Sequence, residues 1–177
     1  MDFNKLWQNF MDTVTNHYMD FAGRVGRAQF WYFILVCVVV AIAAAILDAI
    51  LATIIGRALI GVVIGLILLL PIGGMAARRL QDSGNNGQLV WIWVAADGVS
   101  QALRLLHAMF PPVVAIDFSS TGVTYSSGFG GYGILDTLAG LVLLVASVAL
   151  IYFCVQPGTS GENQYGPEPP AWTPNAG

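Results

Sequence analysis

Phe30 to Leu47 is an unbroken run of 18 apolar residues. A helix crossing a hydrocarbon core about 30 Å thick needs roughly 20 such residues, and a run of this length reads as a membrane span. Two further stretches share this character. Ala58 to Ala77 carries no charge over 20 residues, with Pro71 near one end, and Tyr132 to Val155 is interrupted only by Asp136. A fourth, Leu89 to Phe110, contains Asp97 and Arg104. Its Leu, Ile, Val and Phe side chains supply about −4 kcal/mol of insertion free energy, against about +5 to +7 for two mid-helix charges. It is a span that leans on its neighbours and on Arg104 snorkelling to one surface.

Composition agrees. Charged residues make up 10% of the 177-residue chain, where a soluble domain has about 25%. The mean hydropathy is +0.71. These values exclude disorder, and a net charge of −3 excludes a nucleic-acid binder. The expected fold is a single all-α membrane domain with four transmembrane helices, at about 28–52, 58–77, 88–110 and 132–155. Ala41-Ile42-Ala43 imitates a signal-cleavage site, but the residues before the run are too many and too acidic (Asp2, Asp12, Asp20) for a signal peptide.

Orientation follows from Lys and Arg. Lys5, Arg24, Arg27, Arg78 and Arg79 fall on one side, and Arg57 with a snorkelling Arg104 on the other. This places both termini in the cytoplasm. Within residues 1–20, Phe3, Leu6, Trp7, Phe10, Val14 and Tyr18 recur at helical spacing. They predict an interfacial amphipathic helix, lying in the headgroups or docked on its own bundle. The outer connection, 111–131, contains Val113–Phe118 and Val123–Ser126, which suit a short hairpin. It reads either as a partner surface or as a tether. The Gly- and Pro-rich tail, 156–177, is expected to run extended along the inner surface.

No phosphate-binding glycine loop, zinc-spaced Cys/His set or nucleophile elbow occurs, so neither an enzyme nor a metal or other cofactor is expected. His17 and His107 are far apart in sequence, and Cys37 and Cys154 suit small apolar packing. Three polar motifs remain, and the topology puts them on one face. They are Gly23-Arg24-Val-Gly-Arg27 running into Phe30-Trp-Tyr-Phe, then Arg78-Arg79-Leu-Gln81-Asp82-Ser-Gly84, then Gly158-Thr-Ser-Gly161-Glu-Asn163-Gln-Tyr165-Gly-Pro167.

In their order and spacing these motifs resemble the bacterial inner-membrane family catalogued as domain of unknown function 805. The resemblance covers essentially the whole chain. It implies a small polytopic protein of the bacterial inner (plasma) membrane with no established activity. The chain departs from the family pattern at Gln81, where a histidine is usual, at Asn85, and at Gln88-Leu89. The 111–131 connection is also long for the family.

The inner-face charges admit two readings. In one they are topogenic: arginines hold the loop inside and complement the end of the second span. In the other, Arg24, Arg27, Arg78 and Arg79 surround Asp82, with Asn163 and Tyr165 folded over them, as a site for a phosphate or carboxylate such as a lipid head group. Within the third span, Asp97, Ser100, Gln101, Arg104 and His107 form one polar stripe, with Asp48 and Asp136 at the level of Arg104. Intramembrane ionisable groups mark functional sites by default, and the structural alternative is that Arg104 pairs with Asp48 or Asp136. Gly61 and Gly65, and Ala41, Ala45 and Ala49, form small-residue faces for helix packing. The leading expectation is a non-catalytic accessory subunit, in contact with the bilayer and with other membrane subunits. The alternative is a binder or carrier of a small anionic or lipid ligand at the inner arginines.

Overall fold

A computed structural model describes residues 3–56, 59–110, 115–119, 122–126 and 133–172. Arg57 and most of the 111–131 connection lie outside the described residues. The helices are α1 (Phe3–Thr15), α2 (Arg27–Ile55), α3 (Ile60–Asp82), α4 (Val90–Met109, preceded by a 3-10 turn at Gly87–Leu89) and α5 (Gly133–Val155). Strands β1 (Ala115–Ser119) and β2 (Gly122–Ser126) pair antiparallel in the connection before α5, from Ala115↔Ser126 to Ser119↔Gly122. Four helices, α2 to α5, are long and apolar enough to cross a membrane, so the chain is a multi-pass membrane protein. At 29 residues, α2 is ~44 Å long and exceeds the hydrocarbon core.

Two boundaries differ from the sequence reading for physical reasons. Helix α2 runs on from the expected end near 52 to Ile55, and Asp48 within it is used across the bundle. Asp48 accepts the backbone N–H groups of Ile60 at 2.8 Å and Gly61 at 2.7 Å, which are orphan donors at the start of α3. Helix α3 continues past Ala77 to Asp82 because Arg78 and Arg79 are buried there and bonded within the protein. Pro71, inside α3, cannot donate to the carbonyl of Ile67. The Tyr18 hydroxyl takes the missing place, donating to that oxygen at 2.7 Å. A proline that would weaken an isolated helix thereby ties the α1–α2 connection to the bundle.

Helix α1 docks on its own chain. Leu6, Asn9, Phe10 and Thr13 are buried, and Phe10 stacks on Phe33 of α2 with ring centres 5.8 Å apart. Asn9 and Gln29 exchange hydrogen bonds, at 3.2 Å to the Gln29 carbonyl and 3.1 Å from the Gln29 amide. The α1 helix stops at Thr15, so Tyr18 belongs to the connection and not to its apolar face.

Helix α3 is the centre of the bundle, packing against α1, α2, α4 and α5, whereas α2 and α4 share no extensive contact. The core is uneven along its length. Phe30, Phe33, Met75, Ala76, Ala77, Leu80, Val90 and Cys154 gather at the end that carries Arg78 and Arg79, here the arginine end. Towards the opposite, hairpin end a cavity opens between α2, α3 and α4. At the tight end Gly74 lets the chain pass closely, since a Cβ there would lie 2.8 Å from the Asp20 carbonyl oxygen. At Gly98 a Cβ would meet only Leu69 Cδ2, at an ordinary 3.6 Å.

Gly74→Leu should therefore lower the thermal unfolding midpoint in detergent, at a cost of about 1–3 kcal/mol, because a backbone atom cannot swing away. Gly98→Ala should leave the midpoint unchanged or raise it by up to about 1 kcal/mol. Equal behaviour of the two variants would contradict this packing.

Candidate functional site

The three polar motifs meet at Asp82, whose side chain is 5% exposed. One carboxylate oxygen accepts Arg24 Nε at 3.0 Å, with Arg24 Nη2 also 3.0 Å away. The other accepts Arg79 Nη1. Arg24 spends its remaining donors on the tail, at the carbonyls of Gly161 (2.6 Å), Gly166 (3.1 Å) and Thr159 (2.5 Å). Arg79, fully buried, donates from Nε to the Cys154 carbonyl at 3.0 Å and from Nη2 to the Gln156 carbonyl. These carbonyls lie at and just beyond the end of α5, where a helix leaves acceptors unpaired and favours a cation.

The tail is bonded into the same centre. The Asp82 carbonyl accepts the Thr159 N–H at 2.8 Å and its hydroxyl at 3.1 Å. Asn163 donates to the Gln81 carbonyl at 3.0 Å and to the Thr159 hydroxyl at 2.8 Å, and accepts the Tyr165 N–H at 2.8 Å. A Cβ at Gly158 would run into the Asp82 carboxylate. Gln81 donates to the Phe21 carbonyl at 3.0 Å, and a side chain on Gly87 would collide with it.

Of the residues expected around Asp82, the structure brings together Arg24, Arg79 and Asn163, with Tyr165 contributing its backbone N–H. Arg78 and Arg27 stand apart. Adjacent residues on a helix diverge by roughly 100°, so Arg78 and Arg79 cannot point the same way. Arg78 faces Met75 Sδ at 3.2 Å and Asp20 at 3.8 Å, and its Nε is buried without a protein partner. Arg27 is exposed and makes no ion pair among the described residues. Four arginines do not converge on one pocket. The two that reach Asp82 are occupied by it and by tail carbonyls, so the centre is a clamp with few donors left for a free anion.

The polar stripe of α4 has a different setting. Asp97, Gln101, Arg104 and His107, with Asp48 of α2, line a cavity of about 800 Å³ between α2, α3 and α4. Neither expected partner of Arg104 reaches it. Asp48 is committed to the start of α3, and Asp136 lies 3.5 Å from His107. Among the described residues Arg104 has no ion pair within 4.0 Å. Gln101 stands one helical turn from Asp97 on this stripe, and its Oε1 is buried with no hydrogen-bond partner among the described residues, as is Ser100 Oγ.

The small residues also act differently from a helix-packing face. A Cβ on Gly65 would strike the Gln101 amide, and one on Gly61 would lie 2.9 Å from the Asp48 carboxylate. They make room for polar side chains. Ala41 and Ala45 are exposed on the cavity wall, Ala49 is exposed beside it, and Ala44 is the buried alanine of this stretch. Both cysteines are free and buried. Among the described residues no three His, Cys, Asp or Glu side chains stand together as a metal site.

The family described as protein of unknown function (DUF805) matches residues 18–167. The chain belongs to this family. The match contains every residue that meets at Asp82 and leaves α1 outside it. No curated protein and no solved structure is significantly similar to the chain. The motifs of this DUF805 protein therefore converge on one buried ionic centre. Sequence reasoning did not assign Thr159, nor the tail carbonyls that bind Arg24 and Arg79, because a carbonyl is present at every residue and leaves no mark in the sequence.

Asp82→Ala strands two buried guanidinium groups and should cost about 3–5 kcal/mol, with the tail beyond Gln156 becoming sensitive to protease in detergent. Adding Arg24→Met should recover part of that loss. A double variant no more stable than the sum of the single changes would show that the pair is not coupled.

Proposed function

We propose that this protein is a non-catalytic, multi-pass membrane protein that holds a small ligand in the α2–α3–α4 cavity. The observation that carries this reading is a polar wall inside a hydrocarbon-soluble bundle. Among the described residues Arg104, on the wall of an 800 Å³ cavity, has no ion pair within 4.0 Å, and Gln101, a further wall residue, has a buried Oε1 with no hydrogen-bond donor. Unpaired polar groups at membrane depth are costly, and their retention implies something that satisfies them. The volume lies in the range of about 300–1,000 Å³ typical of small-ligand sites. A ligand site at the arginine end has less support, because Arg24 and Arg79 already bind Asp82 and tail carbonyls.

The accessory-subunit reading draws on the long exposed faces, such as Leu138, Leu141, Val145 and Val148 of α5. Lipid alone covers such a face, so it does not require a partner. Catalysis would need a nucleophile, a base and an orienting group within reach of one another, and the cavity wall offers no such trio. We place the protein in a bacterial inner membrane with the arginine end in the cytoplasm, following the positive-inside rule. Phe3 and Trp7, exposed on α1, then lie at the headgroup level.

Sidedness is testable with Ser160→Cys, an exposed tail position, because the native cysteines are buried. A membrane-impermeant thiol reagent should label it only after cells are broken, and labelling of intact cells would reverse the orientation. The cavity is testable with Ala45→Trp, which fills it from an exposed wall. Native mass spectrometry of protein extracted in mild detergent should find a small-molecule adduct on the wild type that the variant loses at unchanged thermal stability. An adduct retained by the variant would place the ligand elsewhere. A photo-crosslinker at position 45 that captures a membrane protein would favour the accessory-subunit reading.

A further inference from the structure

We infer that the end of α1 is a proton-sensitive clasp. The protonated ring of His17 ties α1 to α3 through two carboxylates, Asp12 and Asp20, and loss of the proton loosens α1 from the bundle. The clasp shares no residue with the α2–α3–α4 cavity, so it stands independently of any ligand there.

Both ring nitrogens of His17 face carboxylates. Nδ1 lies 3.2 Å from Asp20 Oδ2, and Nε2 lies 3.6 Å from Asp12 Oδ2. A neutral imidazole donates from one nitrogen only, which leaves a lone pair facing one of these oxygens, whereas an imidazolium donates from both. Arg78 is the third neighbour, with Nη1 3.8 Å from the same Asp20 oxygen. The charged and titratable groups that meet here are thus Asp12 on α1, His17 and Asp20 on the connection, and Arg78 on α3. Arginine stays protonated in proteins, so two carboxylates stand against one permanent cation. The charges balance only when His17 carries a proton, and histidine is the side chain that changes charge between pH 5 and 8.

The surrounding chain decides which part the proton holds. Asp20 is fixed on α3 without it: its carbonyl passes over Gly74, its carboxylate accepts the Ala22 N–H at 3.3 Å, and nearby Tyr18 is bonded to the Ile67 carbonyl. Asp12 belongs to the last turn of α1 and is exposed. That helix is otherwise held by the burial of Leu6 and Phe10 and by the Asn9–Gln29 pair, while Phe3, Trp7 and Met11 form an exposed apolar stripe that lipid accepts. The moving part is therefore α1. The family match begins at residue 18, so Asp12 and His17 lie outside it while Asp20 and Arg78 lie inside. Helix α1 brings the proton site to a surface that the family match already includes. The side chains of Asp12, His17 and Asp20 are between 40% and 53% exposed. Exposed ion pairs are weak, so the proton shifts a population by about two- to fivefold and does not act as an all-or-none latch.

Nitroxide labels on Gln8→Cys and Ser160→Cys, both exposed positions, report the distance from α1 to the tail in the full chain, since the native cysteines are buried. Pulsed electron resonance in maltoside detergent compares that distance at about pH 5.5 and about pH 8, on either side of histidine titration. With His17 present, one distance should dominate at the lower pH, and the share of longer, broader distances should rise about two- to fivefold at the higher. His17→Gln cannot take up the proton and should give the same distribution at both. His17→Lys, a lasting cation, should keep the low-pH distribution at both. His107→Gln removes the other histidine, at the hairpin end, and should leave the pH response intact. A response that survives His17→Gln, or that is missing with His17 present, would overturn the inference. Identical behaviour of the Gln and Lys variants would do the same, because the charge at position 17 would then be immaterial.

Discussion

Asp82 lies between Arg24 and Arg79 with almost no exposure to solvent, and the rest of the structure hangs on this arrangement. Burying one carboxylate and two guanidinium groups is expensive, by several kcal/mol per ion, unless every donor and acceptor is matched. Here the matching is supplied by main-chain carbonyls from the end of α5 and from the tail, at Cys154, Gln156, Thr159, Gly161 and Gly166. One centre consequently ties together the approach to α2, the end of α3, the end of α5 and a tail with no regular secondary structure of its own. Contacts of this kind contribute little net stability but fix one arrangement of helices that are otherwise free to rotate in lipid.

That constraint explains the asymmetry of the bundle. In hydrocarbon, apolar faces have no strong reason to meet, so helices stay together where polar groups or close packing demand it. At the arginine end both demands are met, and Phe33, Met75 and Leu80 are buried around the ionic centre. At the hairpin end α2 and α3 are joined mainly through Asp48 and the first amides of α3, and nothing equivalent draws α2 to α4. The cavity is the space left by that missing tie, and the glycines at 61 and 65 let the Asp48 and Gln101 side chains sit close against α3.

Pro71 and Tyr18 show how local rules and distant contacts combine. The proline removes one hydrogen bond from a central helix, and a tyrosine from another part of the chain restores the acceptor's partner. Neither residue is informative alone. The same holds for Gln81, whose side-chain amide donates to the Phe21 carbonyl.

What this sequence determined by itself is the number of spans, their approximate ends and the end of the bundle that collects its arginines. Those properties add up residue by residue from transfer free energies, so a one-dimensional string carries them. The hairpin was also legible, since turn residues between β-branched runs act locally, and so was the convergence of three motifs on one face. The fate of each charge was decided only by tertiary structure. Arg78 and Arg79 are neighbours in sequence yet point to different surroundings, and Arg104 lost both expected partners because Asp48 and Asp136 found closer ones. Pairing depends on helix rotation and on backbone carbonyls, which every residue possesses, so no pattern of side chains could announce which ionic site would close and which would stay open.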